Sequence, residues 1–192
     1  MNKISILGFA GSLRKGSFNK AILRAAMKLL PENAELDIFD LEGIPLFNQD
    51  NENNYPQKVL DFKAKIKAAD AILISTPEYN YSIPGVLKNA IDCASRPYGD
   101  NAFKGKAVAI MGASIGMLGT SRAQYHLRQS FVFLDVYTVN SPEVMVPFAA
   151  DKVDTEGNLS DPKTKDLIAE LLKSLADLAL RQKGYGHIAK AA

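Results

Sequence analysis

Residues 70–76 (Asp-Ala-Ile-Leu-Ile-Ser-Thr) and 106–113 (Lys-Ala-Val-Ala-Ile-Met-Gly-Ala) are nearly continuous apolar runs, with no alternation that would leave one side for water. Strands of this kind are buried on both faces, which is the habit of a parallel sheet covered by helices above and below. The rest of the chain supplies the other parts. A short apolar strand spans residues 4–9, and Ile22, Leu23, Ala26, Met27 and Leu30 then follow helical spacing until Pro31 stops them. Residues 34–39 read as a second short strand, and Val59, Phe62 and Ile66 mark a helix over 59–68. Val86, Leu87, Ala90, Ile91 and Ala94 mark another, and a further helix is expected from about Ser121 to Phe133. β character resumes at 136–139, with 143–146 as a second piece. Asp161 before Pro162 opens the longest helix, whose apolar face is Leu167, Ile168, Leu171, Leu172, Leu175 and Leu178. Strands alternating with helices predict an α/β doubly wound three-layer sandwich with right-handed crossovers and a five-stranded parallel sheet in order 2-1-3-4-5. That order leaves a crevice beyond the carboxyl ends of strands one and three. One domain is expected over residues 1–183, with 184–192 as a short tail. The Asn-rich loop 41–56 is expected to fold over something.

Into the expected crevice opens Gly11-Ser-Leu-Arg-Lys-Gly-Ser-Phe-Asn19, between the first strand and the first helix. Its glycines let the backbone approach a ligand, Ser12, Ser17 and Asn19 offer short polar groups, and Arg14 adds a fixed charge; together they suit an anion at a helix N-terminus. Three residues beyond Ser17, where a capping Glu or Gln is usual, stands Lys20, a cation at the positive end of the helix dipole that an outside anion would offset. The same residues also suit an ordinary strand-to-helix turn capped by Ser17. Glycines at 8, 11 and 16 do not make the dinucleotide fingerprint, and Gly11 to Ser17 lacks the lysine of a triphosphate loop. A phosphate monoester fits best.

The balance of charge narrows the partners. Lys and Arg exceed Asp and Glu by only two, so neither nucleic acid nor an anionic membrane is implied, and any anion binding must be local. The single cysteine, Cys93, rules out an intramolecular disulfide framework and suits a reducing cytoplasm; it falls near the apolar face of the third helix and reads as a core thiol. With only His126 and His187 besides, no metal site is expected. The apolar run after Lys3 is read as a buried strand rather than a leader, and no segment approaches the roughly 18 apolar residues of a membrane span.

Three motifs together carry a family resemblance: Gly11 to Asn19; Pro77-Glu-Tyr-Asn-Tyr-Ser-Ile-Pro-Gly85 with Leu87-Lys-Asn-Ala-Ile-Asp92; and Arg122-Ala-Gln-Tyr-His-Leu-Arg-Gln129. From about residue 4 to 182 the chain resembles the NAD(P)H-dependent FMN reductase family, particularly its bacterial quinone and chromate reductase branch, whose fold is flavodoxin-like. The resemblance implies that Ser12, Arg14, Ser17, Phe18 and Asn19 hold the FMN phosphate. It implies that Pro77, Glu78, Tyr79, Asn80, Tyr81 and Ser82 meet the flavin ring, and that Ser114 and Gly116 flank it. Thr120 departs from the pattern, standing where close relatives usually have a second glycine.

By the residues alone, Tyr79 and Tyr81 suit either flat walls for a ring or ordinary packing. The activity implied is hydride transfer from NADPH or NADH through FMN to quinones, free flavin, azo compounds or chromate, with no protein nucleophile or acid–base pair and therefore no catalytic side chain. Glu78 is read as a binding residue. Arg96 suits either an anionic substrate or a helix-end ion pair. The alternatives are a flavodoxin-like electron carrier serving a protein partner and a flavin-free regulatory protein of the same fold. The resemblance also implies a homodimer or homotetramer assembled through Tyr81, Arg122, Tyr125 and Glu143, with Arg122 pairing to Glu143 across a two-fold interface.

Overall fold

A computed structural model describes residues 3–190. In chain order the elements are β1 (Ile4–Ala10), α1 (Phe18–Ala26), β2 (Ala34–Ile38), α2 (Gln57–Ala68), β3 (Ala71–Ser75), α3 (Gly85–Ala94), β4 (Ala107–Ala113), α4 (Ser121–Phe133), β5 (Tyr137–Thr138), β6 (Val144–Val146) and α5 (Pro162–Lys190). The sheet is parallel with order β2-β1-β3-β4-β5, as the buried strands predict. Strands β3 and β4 are buried at every position.

Side chains one residue apart on a strand leave by opposite faces, and the two cores follow that period. Ile4, Ile6 and Ala10 of β1 join Leu73, Ala109 and Met111 against Ile22 and Leu23 of α1 and Ile168 and Leu172 of α5. Leu7 and Phe9 join Ile72, Ile74, Val108 and Ile110 against Phe62 of α2, Leu87 and Ile91 of α3, and Leu127 and Phe131 of α4. Each of these large side chains contributes about 1.5–3 kcal/mol when fully buried, so the two cores dominate the cohesion of the fold. Phe62 sits edge-on to Phe9 with ring centroids 5.1 Å apart and stacks on Phe39 at 5.0 Å, which fastens α2 to the strands that hold the crevice.

The fifth position of the sheet is filled by two pieces. β5 continues the ladder from Ala107 and Val108, and β6 pairs with Met111, Gly112 and Ala113 farther along β4. Pro142 lies between them; it has no N–H to give to a ladder, so pairing lapses and resumes. The loop after β2 folds onto α3, where Asn89 accepts from the Phe47 N–H at 2.8 Å and donates to the Pro45 carbonyl at 2.8 Å. Helix α5 runs through residues 184–190, where the sequence places a tail; residues 191–192 lie outside the described residues. Among the described residues no helix is long and apolar enough to cross a membrane.

Candidate functional site

Three loops leave the carboxyl ends of neighbouring strands β1, β3 and β4 and meet around one crevice of about 450 Å³. Its walls are Ser12, Arg14, Ser17, Phe18 and Asn19 from the first loop and α1, Pro77, Glu78 and Tyr79 from the second, and Ala113, Ser114 and Ile115 from the third.

The first wall is a helix start. Ser17 is the N-cap of α1, with extended backbone and a hydroxyl that accepts from the Lys20 N–H at 3.3 Å. Ahead of Lys20 in the same turn, the Phe18 and Asn19 amides have no carbonyl within the helix to bond. Ser12 and Ser17 are both buried, while Arg14 is exposed, its guanidinium 5.2 Å from the Phe18 ring centroid. Lys20 does not wait for an outside anion: its ammonium pairs with Asp40 at 3.1 Å. Together with a hydrogen bond from the Glu42 N–H, that cation holds the Asp40 carboxyl below its ordinary range against the opposing effect of burial. Asn19 spends its amide inside the fold, on Ala113 and Ser75, and presents only its flank to the crevice.

The second wall is a strained turn. Tyr79 and Ser82 exchange backbone hydrogen bonds at 3.1 and 2.9 Å across Asn80 and Tyr81, whose φ angles are 48° and 65°. A two-residue turn with both centres at positive φ favours Asn-Gly; here an aromatic side chain occupies the second position, at a cost of order 1–3 kcal/mol. The Arg122 guanidinium lies over the Tyr81 ring, 3.5 Å from its centroid. Glu78 holds that arginine. One carboxylate oxygen accepts from Arg122 Nε at 2.5 Å and pairs with its terminal nitrogen, and the other accepts the backbone N–H of Arg122 at 3.0 Å and of Ala123 at 3.2 Å. Thr120, the N-cap of α4, makes no side-chain capping bond, so Glu78 caps that helix from another loop and places its charge at the positive end of the dipole. Ser82 Oγ shares a hydrogen bond of 2.9 Å with His126 Nδ1, a second staple between this turn and α4.

The third wall depends on backbone shape. Ser114 Oγ accepts from the Gly116 N–H at 3.1 Å. Gly119 has φ of 55°, and a Cβ there would stand 2.7 Å from the Met145 carbonyl carbon, so glycine is required twice over. Thr120 follows with φ of 76°. Its left-handed conformation accounts for the position suiting glycine.

The crevice therefore gathers most of the residues singled out from the sequence. Asn80, Tyr81, Ser82 and Gly116 are not among its walls: Tyr81 stands on the outer rim, 69% exposed, and Ser82 turns to His126. Ala113 and Ile115 line it without having been anticipated, because apolar side chains carry no chemical signature and only their place after β4 brings them in. Within the chain, Arg122 is held by Glu78. The Glu143 carboxylate beside Tyr125 holds its phenol above the ordinary range. Arg96 lies apart from the crevice, with its guanidinium on the Tyr98 ring at 3.7 Å.

Comparison with known proteins agrees with this architecture. A family model described as NADPH-dependent FMN reductase matches residues 4–151. An NAD(P)H-dependent FMN reductase of Pseudomonas aeruginosa is 50% identical over 182 residues, covering 94% of this chain and 98% of that protein. A quinone reductase of Escherichia coli K12 is 40% identical over 185 residues, covering 94% and 98%. The solved structure of FerB from Paracoccus denitrificans, described as a flavoenzyme NAD(P)H:(acceptor) oxidoreductase, superposes with a TM-score of 0.84 at 33% identity over 93% of this chain and 98% of that one.

Proposed function

The chain belongs to the NADPH-dependent FMN reductase family, and from that premise we propose that it is an oxidoreductase that binds FMN in the crevice and passes reducing equivalents from NAD(P)H to quinones. The observation that carries this reading is the donor set of the first wall. Two buried serine hydroxyls, the first amides of α1 and one arginine line the same end of the crevice, a donor set that suits a phosphate monoester. The remaining walls, Pro77 to Tyr79 and Ala113 to Ile115, set an aromatic ring and apolar side chains on either side of the crevice, a lining that suits a heteroaromatic ring. Bound there, FMN would supply the redox chemistry, hydride transfer between a nicotinamide and an acceptor.

The chain's own residues bind, orient and shield. Ser12, Ser17 and Arg14 fix the phosphate and so set how deep the ring sits. Asn19 locks the start of α1 to β4 and keeps the donors aimed. The turn from Tyr79 to Ser82, pinned to α4 at two points, gives the ring a rigid edge, which limits the reorganisation needed at each turnover.

The reading is tested by the absorption spectrum of the purified protein and by steady-state NAD(P)H oxidation with a quinone. A yellow protein with about one FMN per chain and parallel-line kinetics is expected. A protein that stays colourless after incubation with FMN would overturn the assignment. An open flavin face discriminates little among acceptors, so chromate, azo compounds and free flavin are proposed as further acceptors. Self-association is proposed on the face where Tyr81, Tyr125, Val132 and Phe133 are 69%, 54%, 82% and 78% exposed, a larger apolar area than a solvent-facing helix normally carries. The expected Arg122–Glu143 pair across a two-fold is part of this proposal, alongside the contact Arg122 makes with Glu78 within one chain. Light scattering decides it, since a dilution-independent mass of 20.9 kDa would leave a monomer.

A further inference from the structure

Glu78 lies in a wall of the crevice, yet its carboxylate does not serve as a ligand group. Its side chain is 8% exposed, and both oxygens are taken up by the start of α4 and the guanidinium of Arg122. The arginine in turn covers the ring of Tyr81 and so braces the residue at the strained centre of the turn. Hydrogen bonds from two backbone amides, two guanidinium nitrogens on one carboxylate oxygen and a stacked ring leave this pair little freedom to move.

A fixed charge matters in this place. Reduction of a flavin adds negative charge to the ring, so a lone carboxylate in the wall would oppose it and a lone guanidinium would favour it. In a partly desolvated wall either effect would be felt over several ångströms. Among the described residues, the only other charged side chain in the crevice wall is Arg14, on the loop read here as the phosphate site. We propose that Glu78 and Arg122 form an immobile, mutually neutralising pair that positions the 77–82 turn on α4 and sets the reduction potential of the bound flavin. Glu78 is thus a positioning residue rather than a flavin ligand or a base. The inference rests on the FMN reading above and deepens it.

Glu78→Gln keeps an oxygen that can accept the α4 amides but removes the negative charge. Arg122→Gln removes the positive one. The test is the midpoint potential of bound FMN, measured by spectroelectrochemical titration, together with the dissociation constant of oxidised FMN. Glu78→Gln should move the potential to more positive values, Arg122→Gln to more negative values, and the double variant should return close to wild type. Arg122→Lys should recover most of the shift, because it restores charge without the guanidinium. Loss of packing alone would move both single variants in the same direction, and that result, or the absence of any shift, overturns the proposal. Wild-type protein that takes up no FMN would overturn the functional reading and this inference with it, whereas FMN uptake with unshifted potentials overturns this inference alone.

Discussion

Asn19 and Ala113 are joined by a closed pair of hydrogen bonds: Asn19 Nδ2 donates to the Ala113 carbonyl at 2.9 Å, and the Ala113 N–H donates to Asn19 Oδ1 at 2.9 Å. The same Oδ1 accepts from Ser75 Oγ at 3.1 Å. One side chain in the first turn of α1 thus bridges the ends of β3 and β4, and it is 2% exposed. The amide does for these strand ends what ladder partners do elsewhere, and it fixes the distance between the first and third walls of the crevice.

Asn19→Ala should therefore destabilise the protein even without cofactor. Three hydrogen bonds are lost and the buried N–H and C=O of Ala113 are left unpaired, at a cost of about 2–4 kcal/mol. Urea unfolding of the cofactor-free protein measures it. A loss below about 0.5 kcal/mol would show that water replaces the amide without penalty and that the bridge is not structural.

Arg14→Ala should behave in the opposite way. The side chain is exposed and makes no ion pair among the described residues, so cofactor-free stability should change by less than about 0.5 kcal/mol. FMN affinity should fall by about 1.5–3 kcal/mol, the usual worth of a charge-assisted hydrogen bond, or roughly ten- to a hundredfold. Flavin fluorescence titration reads it directly. Unchanged affinity would remove Arg14 from the phosphate site.

Much of this site was legible in the sequence, for reasons that differ by residue. The strands at 71–75 and 107–113 announce burial on both faces by composition alone, and once they are parallel neighbours the loops after β1, β3 and β4 must open together. Ser17 as N-cap is a local signal and was readable as one. The partners of charged residues were not. Lys20 meets Asp40, and Glu78 meets Arg122 across 44 positions, because the sheet brings their loops side by side; nothing within a few residues of either indicates the pairing. The break between β5 and β6 was legible as two pieces of β character, at 136–139 and 143–146, whose place in one ladder only the sheet shows. The positive φ of Thr120 was hidden for a simpler reason: threonine is a poor residue for that conformation, and only the backbone reveals the demand.

Thr120 offers a test in which the usual order of two substitutions reverses. Its hydroxyl accepts from Gln124 Nε2 at 3.1 Å and fills the space where a Cβ on Gly112 would lie, 1.9 Å away. Thr120→Ala and Thr120→Gly both lose that bond and the methyl packing. Alanine keeps a Cβ in the left-handed region, whereas glycine is at ease there, so Thr120→Gly should be more stable than Thr120→Ala by about 1 kcal/mol. In ordinary helix or strand the glycine variant is the weaker by a similar amount. Urea midpoints rank them, and alanine above glycine would mean that the loop relaxes to negative φ when the threonine is removed.

The last prediction concerns alkaline pH. Burial pushes the Cys93 thiol from 9.0 up to about 11 and the Tyr55 phenol from 10.0 up to about 12. In both cases the unfolded chain gives up its proton first. Between about pH 9 and 12 the unfolded state therefore binds fewer protons than the folded state, and stability, fully present below pH 9, falls as pH rises. Cys93→Ala and Tyr55→Phe remove the two groups. Tyr55→Phe should cost little at pH 7, because the Tyr55 hydroxyl is buried without a hydrogen-bond partner among the described residues. Unfolding free energies measured from pH 7 to 11 should decline more steeply for the wild type than for the double variant. Lysines titrating in the same range contribute to both slopes and cancel in the comparison. Equal slopes would mean that neither group stays protonated in the folded protein beyond its ordinary range.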